Sequence, residues 1–414
     1  MSAVTTPTWT NAMHPCSGKT IVLGVTGGIA AYRAVELLRL LTKAGATVHV
    51  VMTASATQFV TPLTFQTLAG TPVMTDLFEL PLEHQIGHIS LADRADLIVV
   101  APATANLIGK VAHGLADDLL STTIMASKAP VLFIPAMNSN MYENPIYQKN
   151  EQALRDAGYQ VMKPDHGLLA CGWEGAGKFP APASIMEYVA KVLTTQDLTG
   201  RRIMITAGPT REELDPVRFI SNHSSGTMGY ALAREAFRRG ATVDLVTGPV
   251  CLEPPTGVTI HPVTSTADMH QQVFSLLDQC DVVIKAAAVA DYRPEKRNDT
   301  KIKKDNASPT ISLAKNPDIL KEISTNPARP KVLVGFAAET EQLENYARKK
   351  MAEKGLDLLV ANDVSQEGAG FGSSTNIATL FDRDGHVAAL PCMPKEDLAR
   401  IILDRVASIL LQKR

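Results

Sequence analysis

Residues 20–25, 47–52, 97–101 and 131–135 are apolar at nearly every position and rich in Val, Ile and Leu, without the alternation of a half-exposed strand. Continuous apolar runs of this length predict strands buried on both faces. Between them, apolar residues recur at helical spacing over 30–44 and 145–157, and a further helix is expected over 183–193. The stretch 167–177 is glycine-rich, keeps neither period and is expected as a loop or flap. Strands alternating with helices imply a parallel sheet with helices on both faces.

The pattern then restarts. Gly200-Arg-Arg-Ile-Met-Ile-Thr-Ala-Gly repeats the layout of Gly18-Lys-Thr-Ile-Val-Leu-Gly, and each leads through a helical stretch to nearly the same strand entry, Gly45-Ala-Thr-Val and Gly240-Ala-Thr-Val. Strand, glycine turn, helix and parallel strand make a nucleotide-type βαβ unit. The second unit is longer by a loop at 209–225. Two α/β domains are therefore expected, 18–193 and 200–414, with 194–199 as linker. In the second, strands are expected at 202–206, 242–246, 281–285, 331–335, 357–360 and 377–381. Helices are expected at 227–239, 267–279, 340–354 (stopped by Gly355) and 395–411, and the polar stretch 293–308 as an exposed loop.

With 414 residues and 45% hydrophobic content the chain has material for two or three cores. A net charge of −2 gives no reason to expect nucleic acid or membrane as partner. The five cysteines are scattered and form no CxxC pair, which argues against a disulfide framework or zinc knuckle and fits a cytoplasmic protein. No apolar run reaches the roughly 18–20 residues of a membrane span. Residues 1–17 lack the layout of a secretory signal and are expected as a loose tail.

Candidate chemistry clusters just past the predicted strand ends, the edge where open parallel sheets bind ligands. Gly27-Gly28-Ile29 follows the first strand and opens a helix, which suits a tight turn or a phosphate cradle equally. Ala101-Pro-Ala-Thr-Ala-Asn106 and Pro135-Ala-Met-Asn138-Ser-Asn-Met141 follow two others. With Gly87-His88-Ile and Ala170-Cys171-Gly, these motifs resemble the flavin-containing cysteine decarboxylases, and the first half is similar to phosphopantothenoylcysteine decarboxylase. The resemblance implies a flavodoxin-like fold carrying FMN on Gly27, Gly28, Ile29, Thr53, Ser55, Thr104, Asn106 and Ala136. It implies His88 as the essential histidine near the flavin, Asn138 as holder of the substrate carboxylate and Cys171 as proton donor on the flap. Each of the three would by itself suit a surface histidine, a turn residue or an inert thiol; their joint occurrence with the flavin motifs carries the reading. The flap departs from the family pattern at Lys178-Phe179, where Arg-Met is more usual.

In the second half, Ser224, Ser225 and Gly226 precede a helix and combine an expected N-cap with an anion-binding turn. The loop that holds them also contains Arg218 and Asn222. Downstream come Lys285-Ala-Ala287-Ala288-Val-Ala-Asp291, Lys301-Ile-Lys-Lys, Gly335-Phe336-Ala-Ala and Ala361-Asn362-Asp363. Together they resemble the bacterial, CTP-using phosphopantothenate–cysteine ligases, with a Rossmann-like fold. The resemblance places Ala287, Ala288, Asp291, Phe336, Lys350 and Lys354 in the nucleotide pocket, Lys301 there also as promoter of acyl-cytidylate formation, Asn222 on that intermediate, and Arg218 beside the phosphorylated substrate. Lys350 and Lys354, four apart on one helix, repel unless an anion lies between them, though a solvated helix face would accommodate both. Thr227 stands where the family commonly has Lys.

As a whole the chain resembles, over about residues 18–410, the bifunctional decarboxylase–ligase family of coenzyme A biosynthesis. That implies 4′-phosphopantothenate, L-cysteine and CTP as substrates, FMN and Mg²⁺ as cofactors, and a homo-oligomer with trimeric flavin domains and dimeric ligase domains, such as a dodecamer. Three rivals are weaker. An NAD(P) oxidoreductase lacks its G-x-G-x-x-G and the acidic residue at the end of the second strand. A phosphatase-inhibiting relative would carry a long acidic tail. A flavin prenyltransferase-like half would have no use for the Cys171 flap.

Overall fold

The structure, a computed structural model, describes residues 14–78, 87–303, 310–339, 343–363 and 372–413. The chain divides after Thr195 into two compact units, treated in turn.

The first unit is built on six parallel strands: β1 (Thr20–Val25), β2 (Thr47–Met52), β3 (Val73–Met74), β4 (Leu97–Ala103), β5 (Val131–Pro135) and β6 (Gln160–Val161). They lie in the order β3-β2-β1-β4-β5-β6. The expected parallel α/β sheet is present. Its strand order is the Rossmann type, in which strands 1 and 4 are neighbours, whereas a flavodoxin-like sheet runs 2-1-3-4-5. β4 is buried at all seven positions, as a strand between two helical layers requires. Helix α1 (Ala31–Lys43) follows from Ala31, Ala34, Leu37, Leu38 and Leu41, one buried stripe at helical spacing. It lies on one face of the sheet with α8 (Pro182–Leu193). On the opposite face lie α4 (Ala105–Ala112), α5 (Leu119–Ala126) and α7 (Pro145–Asp156). The helices α2 (Pro62–Ala69), α3 (Gly87–Arg94) and α6 (Ser139–Glu143) complete the unit.

Two expectations change here. Residues 14–17 are a turn rather than a loose tail, because Cys16 is completely buried in the core and Lys19 N–H donates to its carbonyl at 3.1 Å. The glycine-rich 167–177 is an antiparallel hairpin, β7 (Asp165–Leu168) and β8 (Glu174–Lys178). Its glycines allow it to lie close on the chain after β5: Gly177 accepts a hydrogen bond from Met137 N–H at 3.0 Å, and at φ +124° a Cβ there would lie 2.3 Å from the Met137 carbonyl oxygen.

The second unit contains β9 (Arg202–Ala207), a two-residue ribbon of β10 (Glu212–Glu213) and β11 (Phe219–Ile220), then β12 (Thr242–Thr247), β13 (Thr259–Pro262) and β14 (Val282–Lys285). A second ribbon pairs β15 (Tyr292–Pro294) with β16 (Leu313–Lys315). β17 (Val332–Glu339), β18 (Leu358–Asp363), β19 (Thr375–Asn376), β20 (Ala378–Asp382) and β21 (Val387–Ala389) follow. The main sheet runs β13-β12-β9-β14-β17-β18-β20-β21, parallel up to β18 and antiparallel beyond. Its helices are α9 (Thr227–Arg238), α10 (Thr266–Leu276), α11 (Ile319–Thr325), α12 (Leu343–Lys354) and α13 (Lys395–Gln412). Gly355, at φ +57°, ends α12. Asp197 and Leu198, expected as linker, belong to this unit: Leu198 is fully buried and Asp197 pairs with Arg239. The 293–308 stretch begins as β15 and is exposed over 295–303; 304–308 lies outside the described residues, as do 340–342 of the expected 340–354 helix.

Leu37 is fully buried between α1 and the sheet. Leu37→Ala is expected to destabilise the protein by about 2–5 kcal/mol, read by chemical denaturation, because the cavity adds to the lost transfer energy.

Candidate active sites

The predicted flavin set in the first unit lies in the turns that follow β1, β2, β4 and β5, with Asn106 in the first turn of α4. Gly27 and Ser55 touch: a Cβ on Gly27 would lie 2.3 Å from the Ser55 Cβ. A Cβ on Gly28 would come 3.7 Å from the Thr104 methyl group. Ala136 N–H donates to the Ala103 carbonyl at 3.2 Å. Sequence reasoning missed Thr26, the buried residue that ties this edge together. Its hydroxyl donates to the Pro102 carbonyl at 2.7 Å and accepts from Thr104 N–H at 3.0 Å. A lone hydroxyl ending an apolar strand was the available signal.

Two buried polar atoms of the predicted set have no hydrogen-bond partner among the described residues, Thr53 Oγ1 at this edge and His88 Nδ1 in the first turn of α3. A buried polar group without a partner costs roughly 1–3 kcal/mol. Ile29, in contrast, presents a 60% exposed apolar side chain over the same edge. Backbone room at Gly28, the unanswered Thr53 hydroxyl and an apolar cover fit a ligand with phosphate and ring parts.

Asn138 and Cys171, 33 residues apart, meet: Asn138 Nδ2 donates to Cys171 Sγ at 3.2 Å. Asn138 is the N-cap of α6, its Oδ1 accepting from Asn140 N–H at 2.9 Å, and this fixes which end of the amide faces the thiol. The thiol, at the exposed tip of the hairpin, is held below the ordinary range by the Trp173 backbone N–H and the Asn138 amide, both of which favour thiolate. Phe179 is buried against the α1 face with the Arg33 guanidinium 5.8 Å from its ring, so its departure from the family pattern is met in the core. Lys178 is exposed.

In the second unit a cavity of about 840 Å³ opens past the ends of β14, β17 and β18. It gathers Asn222, Ala287, Ala288, Asp291, Phe336, Lys350 and Lys354 of the predicted set. Arg218 and Lys301 are not among its lining residues. Lys301 is exposed, and Arg218 is bound to Asp215. The Asn222 amide donates to the Ala288 carbonyl at 2.6 Å, and Thr206 Oγ1 and Thr210 Oγ1 accept from Ala287 and Ala290 N–H at 3.2 and 3.0 Å. These bonds hold the 287–291 turn against β9. The expected serine cap is not formed. Gly226, at φ +78°, is the N-cap of α9 without a side-chain bond, and Ser225 Oγ pairs with Thr227 Oγ1 at 2.8 Å.

The anion between Lys350 and Lys354 is in part the protein's own, since Lys354 is paired with Asp318. Sequence reasoning missed Lys285, which ends β14 in the cavity. Burial pushes its ammonium down to about 8, with Lys350 adding to the shift and Asp318 opposing it. Asn362 Oδ1, also on the lining, is buried without a partner among the described residues. Among the described residues no group of three or more His, Cys, Asp or Glu could hold a metal ion, and no helix is long and apolar enough to cross a membrane.

The fold and its two edges define a class: an α/β chain of two doubly wound units, each with a candidate ligand site at its strand ends. Residues 10–194 match the model of the Flavoprotein family, and residues 198–410 that of the DNA/pantothenate metabolism flavoprotein C-terminal domain. The coenzyme A biosynthesis bifunctional protein CoaBC of Bacillus subtilis is 49% identical over 397 residues, 95% of this chain and 98% of the relative. That of Escherichia coli K12 is 46% identical over 396 residues, 95% and 97%. The crystal structure of the C-terminal domain of a protein of that name is 44% identical, covering 53% of this chain and all of that one, at a TM-score of 0.46. The chain belongs to the family of coenzyme A biosynthesis bifunctional proteins. It is a bifunctional enzyme of that pathway, a flavoprotein with decarboxylase and ligase activities.

Alkylation of Cys171 by iodoacetamide should show a pH midpoint below the roughly 8.5 of a free thiol. Asn138→Ala should move that midpoint upward, because a bond that stabilises thiolate is lost; peptide mapping of the labelled protein reads both.

Proposed function

We propose that the second unit joins 4′-phosphopantothenate to L-cysteine with CTP through an acyl-cytidylate, releasing CMP and pyrophosphate. The first unit then decarboxylates 4′-phosphopantothenoylcysteine to 4′-phosphopantetheine with FMN. The observation that carries the reading is the contact of Asn138 with Cys171 beside an edge suited to a flavin. The lysine-lined cavity of the second unit supports the ligation half.

FMN would be held by Gly27, Gly28 and Ile29, by Thr53 and Ser55, and by Thr104, Asn106 and Ala136, with Thr53 Oγ1 available to a phosphate oxygen. When bound, FMN supplies oxidation of the thiol-bearing carbon and return of the hydride, so that carbon dioxide leaves from a carbon able to pass on its charge. Asn138, its amide oriented by Asn140, binds the substrate carboxylate through Nδ2 without adding charge. Cys171, a stronger acid than a free thiol, gives the proton that completes the product. His88 Nδ1, buried and without a partner among the described residues, would bond the substrate or the flavin.

In the ligase half a substrate carboxylate attacks the nucleotide's α-phosphate, and positive side chains offset the repulsion of the two anions. Lys350, Lys354 and Lys301 carry that charge, Ala287, Ala288, Asp291 and Phe336 complete the nucleotide pocket, and Asn222 acts on the acyl-cytidylate. Arg218, half exposed, offers Nη1 to the phosphorylated substrate. Mg²⁺ would enter with the triphosphate; the cavity carboxylates Asp291 and Asp318 suit the partial protein coordination that this ion accepts. A homo-oligomer built on both units, working in the cytoplasm, completes the reading, and mass photometry tests the assembly.

Purified protein given 4′-phosphopantothenate, cysteine, Mg²⁺ and CTP should yield 4′-phosphopantetheine, CMP and carbon dioxide by mass spectrometry. Accumulation of 4′-phosphopantothenoylcysteine would refute the decarboxylase half, and no conversion at all would refute the ligase half. CTP affinity should weaken as pH rises through about 8, where the free enzyme's Lys285 loses its charge, and Lys285→Met should flatten that dependence in calorimetric titrations.

A further inference from the structure

Lys301 stands in a segment with little to hold it by packing. Residues 295–303 are exposed, and even Ile302, the apolar residue beside it, is 36% exposed. The segment is instead held by the turn 213–218 through a ladder of polar contacts. Arg297 Nε donates to Glu213 Oε2 at 2.5 Å, and Asn298 N–H donates to the Leu214 carbonyl at 2.9 Å. The last rung is double. Ile302 N–H donates to Asp215 Oδ2 at 3.1 Å, and the Ile302 carbonyl accepts from Arg218 Nη2 at 3.1 Å.

Asp215 is built for this contact. Its side chain has no exposure to solvent. Oδ1 accepts from the N–H groups of Val217 and Arg218, both at 2.9 Å, while Oδ2 accepts from Arg218 Nε at 2.9 Å, Nη2 at 2.5 Å and Ile302 N–H. A carboxylate out of water is tolerated only when its lone pairs are answered, and one answer comes from the Lys301 segment itself. Docking of that segment and satisfaction of the buried acid are therefore one event. The amide that Asp215 holds is the peptide between Lys301 and Ile302, so the lysine's own backbone plane is set by the clamp.

We propose that Asp215 and Arg218 are positioning residues for Lys301, clamping the Ile302 backbone so that the lysine is presented for acyl-nucleotide formation. The proposal rests on the reading of Lys301 given above. It adds to Arg218 a role distinct from contact with substrate, and it assigns one to Asp215.

The test uses the full-length protein in four forms: unaltered, Asp215→Asn, Lys301→Gln and the double variant. Single-turnover pyrophosphate release from CTP and 4′-phosphopantothenate, without cysteine, isolates the first half-reaction. Asp215→Asn should slow it by about 10–100-fold, the cost of a small misplacement of a reacting group. Hydrogen exchange at the Ile302 amide should rise in the same variant. The decisive comparison is the double variant, which should be no slower than Lys301→Gln, because a residue acting through Lys301 has nothing left to lose. Multiplying effects, an unchanged rate in Asp215→Asn or unchanged exchange at Ile302 would each overturn the clamp. A Lys301→Gln enzyme of full speed would instead overturn the reading of Lys301, and the proposal with it. Should Asp215→Asn fail to fold, Asp215→Glu keeps the charge and displaces the carboxylate from the Ile302 amide, and the same cycle with Lys301→Gln decides the matter.

Discussion

Parallel pairing of β1 with β4, and of β9 with β14, is the constraint on which both sites depend. A parallel neighbour is reached only by a crossover, and at these pairs the crossovers separate. After β1 the chain turns into α1 on one face of the sheet, and after β4 into α4 on the other. The two turns diverge and leave a crevice between strand ends. Thr26 bridges the base of that crevice, and in the second unit Thr206 and Thr210 do the same for the turn after β14. Each hydroxyl answers backbone groups that the end of a ladder would otherwise leave open.

The two crevices are equipped for different chemistry by what each leaves unanswered. The first keeps an exposed thiol with a favoured thiolate, an amide of fixed orientation and a buried Thr53 hydroxyl without a partner among the described residues. The second concentrates Lys285, Lys350 and Lys354, with Asp318 paired to the last and favouring the charge on the first. Burial there costs Lys285 part of its hold on a proton, and an incoming polyanion would restore it.

Much of the first site was legible because its residues adjoin strand ends, and strand ends follow from apolar runs that stop at Gly, Pro or Asn. Gly27, Ser55, Thr104 and Ala136 sit at one edge since four parallel strands must end together. Lys285 was hidden by being the last residue of a strand-like run, where a lysine reads as a solvated terminus. The hairpin over 165–178 was hidden because glycine weakens the alternation that marks a strand, although close approach to Met137 is what requires glycine there. The serine cap was read from preference, yet the backbone at Gly226 takes a left-handed turn that leaves no side-chain cap.

The sequence by itself determined the two-unit α/β plan, the strands and helices and the edge at which chemistry collects. These follow from burial and backbone hydrogen bonding over a few neighbouring residues, and a period of two or 3.6 records them directly. Only the tertiary structure decided which polar groups face each other: Asn138 with Cys171, Lys354 with Asp318, and Asp215 and Arg218 with Ile302. The first two join segments more than thirty residues apart and the last more than eighty, so no local pattern encodes them. Side-chain electrostatics act through space, and the distances they depend on exist only once the sheets have brought those segments together.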